Sequence, residues 1–167
     1  VRLPTGALAG REYVQHPGAV VIVGVLEHES AAPRYVVEYQ YRHPVGRAMI
    51  EFPAGKLDPQ EPGLHCARRE FLEETGFAAR QWAFAGAMHN CIGYSDERID
   101  IWFARDLHYC GQQLDDGELL RVYAAPLSDL LQRVQNGALT DAKTITALLW
   151  AQQVEQGTWS LPWQTVE

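Results

Sequence analysis

The sequence predicts one mixed α/β domain, and three observations carry that prediction. The chain has 167 residues, 47% hydrophobic and 21% charged, which is enough for one real core and too little for two ordinary domains. Runs rich in Val, Ile and aromatics are interspersed with segments whose apolar residues recur at helical spacing. No repeat, low-complexity tract or shift in composition divides the chain.

Residues 14–26 are rich in Val and Ile and read as a strand, with a bend at Pro17 and Gly18 near its start. Residues 27–33 form a polar turn, and residues 34–42 (RYVVEYQYR) read as the antiparallel partner. After a turn at 43–46, residues 48–52 make a short strand closed by Pro53, Ala54 and Gly55. Residues 64–75 place Leu64, Ala67, Phe71 and Leu72 at helical spacing, and Gly76 stands where a helix stops. Residues 81–88 and 98–107 read as two more strands, the second alternating Ile99, Ile101 and Phe103 with Asp100, Trp102 and Ala104. The loop 89–97 between them contains Gly93. Residues 128–135 and 141–153 read as helices, the latter with Ile145, Leu148 and Leu149 on one face.

Lys plus Arg number 14 and Asp plus Glu 21, a net charge of −7 that argues against a nucleic-acid partner, because phosphate backbones reward surplus cations. The longest apolar run, 19–26, is broken by Gly24 and is too short for a membrane span. Cys66, Cys91 and Cys110 are odd in number and lack CxxC spacing, so a disulfide framework is not expected and a reducing cytoplasm is. The first residues lack the basic-then-apolar pattern of a secretory signal, and the start at Val1 rather than Met leaves room for a longer N-terminus.

Residues 55–77 read GKLDPQEPGLHCARREFLEETGF. On a helix, Glu70 and Glu74 lie one above the other, and Glu73 joins the same face. Such a run commonly means only a solvated acidic face. These acids, however, fall in the C-terminal half of the helix, where its dipole penalises them. A divalent cation reverses that penalty, and Mg²⁺ takes carboxylates, water and substrate phosphates as ligands.

This stretch resembles the Nudix box, G-x5-E-x7-R-E-U-x-E-E-x-G-U, with U bulky and apolar. Gly55, Glu61, Arg69, Glu70, Phe71, Glu73, Glu74, Gly76 and Phe77 meet every fixed position. At roughly 7% per residue type, the invariant letters match by chance about once in 10⁸ registers. The resemblance implies an α/β/α sandwich with a mixed β-sheet over 1–167, and an enzyme that hydrolyses nucleoside diphosphates linked to another moiety. It implies Glu70, Glu73 and Glu74 as metal ligands together with the Ala54 carbonyl, for Mg²⁺ with Mn²⁺ as a substitute. It implies a structural salt bridge between Glu61 and Arg69, with Gly55 and Gly76 as backbone-conformation residues.

Outside the box, residues 11–23, 38–55, 93–98 and 139–145 resemble the ADP-ribose pyrophosphatase branch. By that resemblance Arg42, Glu51 and Arg11 contact substrate or order the site, and Glu97 joins Glu74 as a catalytic residue, serving as general base. Tyr39, Tyr41, Trp82 and Tyr94 are all candidates to stack on the base. The branch usually carries proline where this chain has Ile92, which leaves a nucleotide sugar such as GDP-mannose, or a dinucleotide, as alternative substrates. The expected partners are a small nucleoside diphosphate derivative and a second copy of the chain in a homodimer, with no nucleic acid and no membrane. A non-catalytic nucleotide sensor is a third reading, disfavoured because all the box glutamates are kept. A zinc site built from the neighbouring His and Cys residues (His65–Cys66, His89 with Cys91, His108 with Cys110) lacks the usual ligand spacing.

Overall fold

One strand, Ala19–His28 (β1), separates two apolar cores. Successive strand side chains point to opposite faces. Val21 and Val23 join Ile50, Phe52, Ile101, Leu130 and Leu148 in one cluster, whereas Val20 and Ile22 join Ala67, Phe71, Trp82 and Trp102 in the other. Burial on both faces explains why the Val/Ile run is continuous rather than alternating.

The computed structural model describes residues 1–29, 31–114 and 119–166. After β1 come Ala31–Arg42 (β2), a 3-10 turn at His43–Val45, Arg47–Glu51 (β3), Ala54–Lys56 (β4) and the helix Gly63–Thr75 (α1). Phe77–His89 (β5), Arg98–Tyr109 (β6) and Leu120–Pro126 (β7) follow, then Leu127–Gln135 (α2), Ala142–Glu155 (α3) and Gln164–Thr165 (β8). The sheet runs β3-β2-β1-β6-β5-β8, with β4 on β1 and β7 on β2. Among the described strands only the β1–β6 pairing is parallel, with Ala19 opposite Ile99, so the sheet is mixed. α1 packs on one core and α2 with α3 on the other, giving the expected three-layer α/β/α sandwich. No helix among the described residues is long and apolar enough to cross a membrane.

Several sequence expectations are corrected. The first strand begins at Ala19, not Val14, because Pro17 and Gly18 turn the chain away; Val14 makes an isolated bridge to Ser95. The fifth strand starts at Phe77, where the Phe77 and Tyr109 rings meet edge to face at 5.4 Å. β7 was not anticipated. In α3 the buried face is Thr144, Ala147, Leu148 and Ala151, while Ile145 and Leu149 are exposed.

Candidate active site

α1 ends as its sequence requires. Gly76 takes a left-handed φ of 74° and its N–H donates to the Leu72 carbonyl. The last two turns of α1 carry Glu70, Glu73 and Glu74, which line a cavity of about 420 Å³ together with Gln40, Arg42 and Gly55.

Each carboxylate has a definite seat. Glu74 is only 4% exposed, and its Oε2 accepts the Ala54 N–H at 3.0 Å. Glu70 lies directly against the Gly55 backbone, where a side chain would collide with it. Glu73 is more open, and its Oε2 accepts from Arg69 Nη1 at 3.1 Å. The same Nη1 donates to Glu70 Oε1 at 2.8 Å. Arg69 therefore offsets the repulsion between two neighbouring acids.

Arg69 also makes the expected bridge to Glu61, from Nε to Oε1 at 3.1 Å and from Nη2 to Oε2 at 3.0 Å. Nη2 reaches the Lys56 carbonyl as well, at 3.2 Å, so one guanidinium ties the loop, the helix and the acids together. The Arg69 hydrogen bonds hold the Glu61 carboxyl well below the usual range against the opposing effect of burial, with His65 assisting. Cys66 donates to the Lys56 carbonyl, and burial pushes its thiol up to about 12.

Among the described residues, no three His, Cys, Asp or Glu side chains stand close enough to form a ready-made metal cage. Glu74 is turned to Ala54, and Glu70 and Glu73 to Arg69. The donor set still fits a hard divalent cation. It consists of carboxylates only, all on one cavity wall, with volume left for waters and a diphosphate.

A second cavity of about 210 Å³ shares Arg42, Ala54, Gly55 and Lys56 with the first and is also lined by His16, Glu97, Asp141 and Lys143. Arg42 forms a two-pronged pair with the buried Glu51, at 2.8 and 2.9 Å. Lys143 Nζ reaches Glu51 from the other side and Asp141 at 3.1 Å. Burial pushes the Glu51 carboxyl up, but Arg42 and Lys143 outweigh it and hold it below its ordinary value. The Glu51 hydrogen bonds in turn raise the Arg42 pKa, aided by the fields of the buried Glu38 and Glu74. Asp141 caps α3, accepting from Thr144 N at 2.9 Å, which places Lys143 in the first turn facing the cleft.

The structure thus brings together Glu70, Glu73, Glu74, Ala54, Gly55, Arg42, Glu51 and Glu97. It does not bring Arg11, which is exposed and donates to the adjacent Gly10 carbonyl, outside both cavities. Trp82 is 1% exposed and belongs to the core, which removes it as a stacking candidate; Tyr39, Tyr41 and Tyr94 are exposed. Sequence reasoning missed His16, Lys143, Gln40 and Glu38. For Lys143 the signal was Asp141 followed three residues on by Thr144, an N-cap pattern that fixes the first helical turn. For His16 it was the Pro17–Gly18 bend.

The family profile described as NUDIX domain matches residues 15–148, which span both cavities. The chain belongs to the Nudix family. This Nudix pyrophosphohydrolase is 34% identical over 157 residues to the ADP-ribose pyrophosphatase of Bacillus subtilis (strain 168), covering 93% of this chain and 83% of that one. It is 32% identical over 157 residues to the methanol dehydrogenase activator of Bacillus methanolicus, with the same coverage of 93% and 83%. Relatives with such different names at nearly equal identity mark the family more sharply than the substrate. A crystal structure of an ADP compounds hydrolase superposes with a TM-score of 0.74 at 23% identity, covering 84% of this chain and 74% of the other, and so shares the Nudix fold.

Proposed function

We propose that the enzyme hydrolyses the pyrophosphate bond of ADP-ribose to AMP and ribose 5-phosphate. The observation that carries the reading is the meeting of two cavities at Arg42 and Ala54–Lys56: three helix carboxylates line one, and Lys143 with Glu97 line the other. The likeness to the Bacillus subtilis enzyme over most of the chain supports ADP-ribose as the substrate.

Glu70, Glu73 and Glu74 would hold Mg²⁺, with the Ala54 carbonyl beside them. Such an ion offsets diphosphate charge, polarises the phosphoryl group and acidifies a bound water. Arg42 is kept cationic and rigid by Glu51, so it presents a fixed positive charge to the substrate. Glu97 accepts a proton from water as the water oxygen bonds to phosphorus. The bond from that phosphorus to the bridging oxygen breaks, and the bridging oxygen leaves on the second phosphate. The same reading includes a homodimer working in the cytoplasm.

A panel of ADP-ribose, GDP-mannose, dinucleoside polyphosphates and nucleoside triphosphates, assayed with Mg²⁺ and read by product identity, tests it. The expected result is the highest kcat/KM on ADP-ribose, with AMP as product. A higher value on GDP-mannose would overturn the substrate, and no turnover on any would indicate a binding module.

A further inference from the structure

We propose that His16 is a positioning residue for Glu97, holding one carboxylate oxygen so that the other is aimed at the attacking water. The inference rests on the general-base reading of Glu97.

The imidazole is oriented from its far side. The Gly18 N–H donates to His16 Nδ1 at 3.2 Å, so Nδ1 is an acceptor and carries no proton. The ring proton is therefore on Nε2, which lies 3.7 Å from Glu97 Oε1. Both side chains are largely shielded, at 16% and 21% exposure, and both line the second cavity. Contacts of this kind are often long without substrate and tighten when it binds.

The backbone around the pair is fixed as well. Val14 N–H donates to the Tyr94 carbonyl at 2.8 Å, and Asp96 N–H donates to the Val14 carbonyl at 3.3 Å. His16 N–H donates to Asp96 Oδ1 at 2.8 Å. The stretch 14–16 therefore zips along the loop that carries Glu97, and His16 is its last tooth. Asp96 is committed to this clamp, which leaves Glu97 as the carboxylate of this loop that faces the cleft.

Asn and Gln separate the two ring nitrogens. In His16→Asn the amide oxygen takes the place of Nδ1 and keeps the Gly18 anchor, but nothing reaches Glu97. In His16→Gln the amide nitrogen takes the place of Nε2 and restores a donor. The full chain is assayed on ADP-ribose with saturating Mg²⁺ as wild type, H16N, H16Q, E97Q and the H16N/E97Q double variant. The expected result is a kcat lowered about 10-fold in H16N at nearly unchanged KM, in line with the cost of sub-ångström misplacement. H16Q recovers most of that loss, and H16N adds nothing in the E97Q background. An unslowed H16N beside a strongly slowed E97Q overturns the inference alone. So does a full further loss in the double variant, which would show that His16 acts independently of Glu97. An E97Q enzyme with wild-type rate removes the general-base reading and this inference together.

Discussion

A Cβ atom placed on Gly55 would lie 1.8 Å from the carboxyl carbon of Glu70. The loop backbone and the helix carboxylate are therefore in direct contact, and the absence of a side chain at 55 sets how deeply Glu70 sits. Gly55→Ala should displace Glu70, lower kcat by at least ~10²-fold and cost about 1–3 kcal/mol by overpacking. Steady-state kinetics and thermal unfolding check this. Near-normal turnover would mean that Glu70 need not occupy its present seat.

Glu74→Gln should keep the fold, because the amide oxygen can still accept the Ala54 N–H. It removes one negative charge from the proposed metal site, so kcat should fall at least ~10²-fold. Chelation of wild-type enzyme should abolish turnover, and added Mg²⁺ should restore it. Normal rates for the variant at limiting Mg²⁺ would reassign the site.

Glu61→Gln acts chiefly on stability. Loss of a charge-assisted pair at a carboxylate only 6% exposed should cost about 2 kcal/mol, lowering Tm by roughly 4–8 °C. Because Arg69 also holds Glu70 and Glu73, a smaller loss of metal affinity should accompany it. An unchanged Tm with metal binding abolished would make Glu61 a ligand instead.

Glu51 links stability to pH. Its carboxyl is held below the ordinary value, so its contribution is fully present above the unfolded pKa of about 4.3 and is lost as pH falls through the depressed native value. Glu51→Gln should cost about 3 kcal/mol near neutrality, and the gap from wild type should close in acid. Denaturant unfolding across pH measures it. A gap that persists unchanged below the native pKa would show that charge is not its source.

Glu97→Gln should lower kcat by about 10²–10⁴-fold, whereas Asp96→Asn, which keeps an acceptor for the His16 N–H, should change it little. The reverse ranking, measured at saturating Mg²⁺, would move the base to Asp96.

The acidic lobe was legible in the sequence because its parts are local. Gly55, Glu61, Arg69 and the three glutamates fall within one loop and one helix, so spacing alone places them. The second cavity was not legible in the same way. Lys143 and His16 are single residues of common type, and only the fold carries them to Arg42 and Glu97. β7 was missed for a related reason. Its sequence, LRVYAAP, has weak strand propensity, and pairing along β2 decides its conformation. Exposed Ile145 and Leu149 show the limit of helical periodicity where small residues make the contact.

The parallel pairing of β1 and β6 bears on the order in which the protein folds. Ala19 and Ile99 are register partners, so the residues leading into both strands leave the sheet side by side. The clamp between His16 and Asp96 closes across 80 residues of chain, at a loop-closure cost that only the assembled core can offset. The carboxylate helix and its loop need no such closure. Helical structure should therefore form early and the base-bearing side of the cleft late. Refolding from denaturant should return far-UV signal before ADP-ribose hydrolysis, and coincident recovery of the two would contradict that sequence of events.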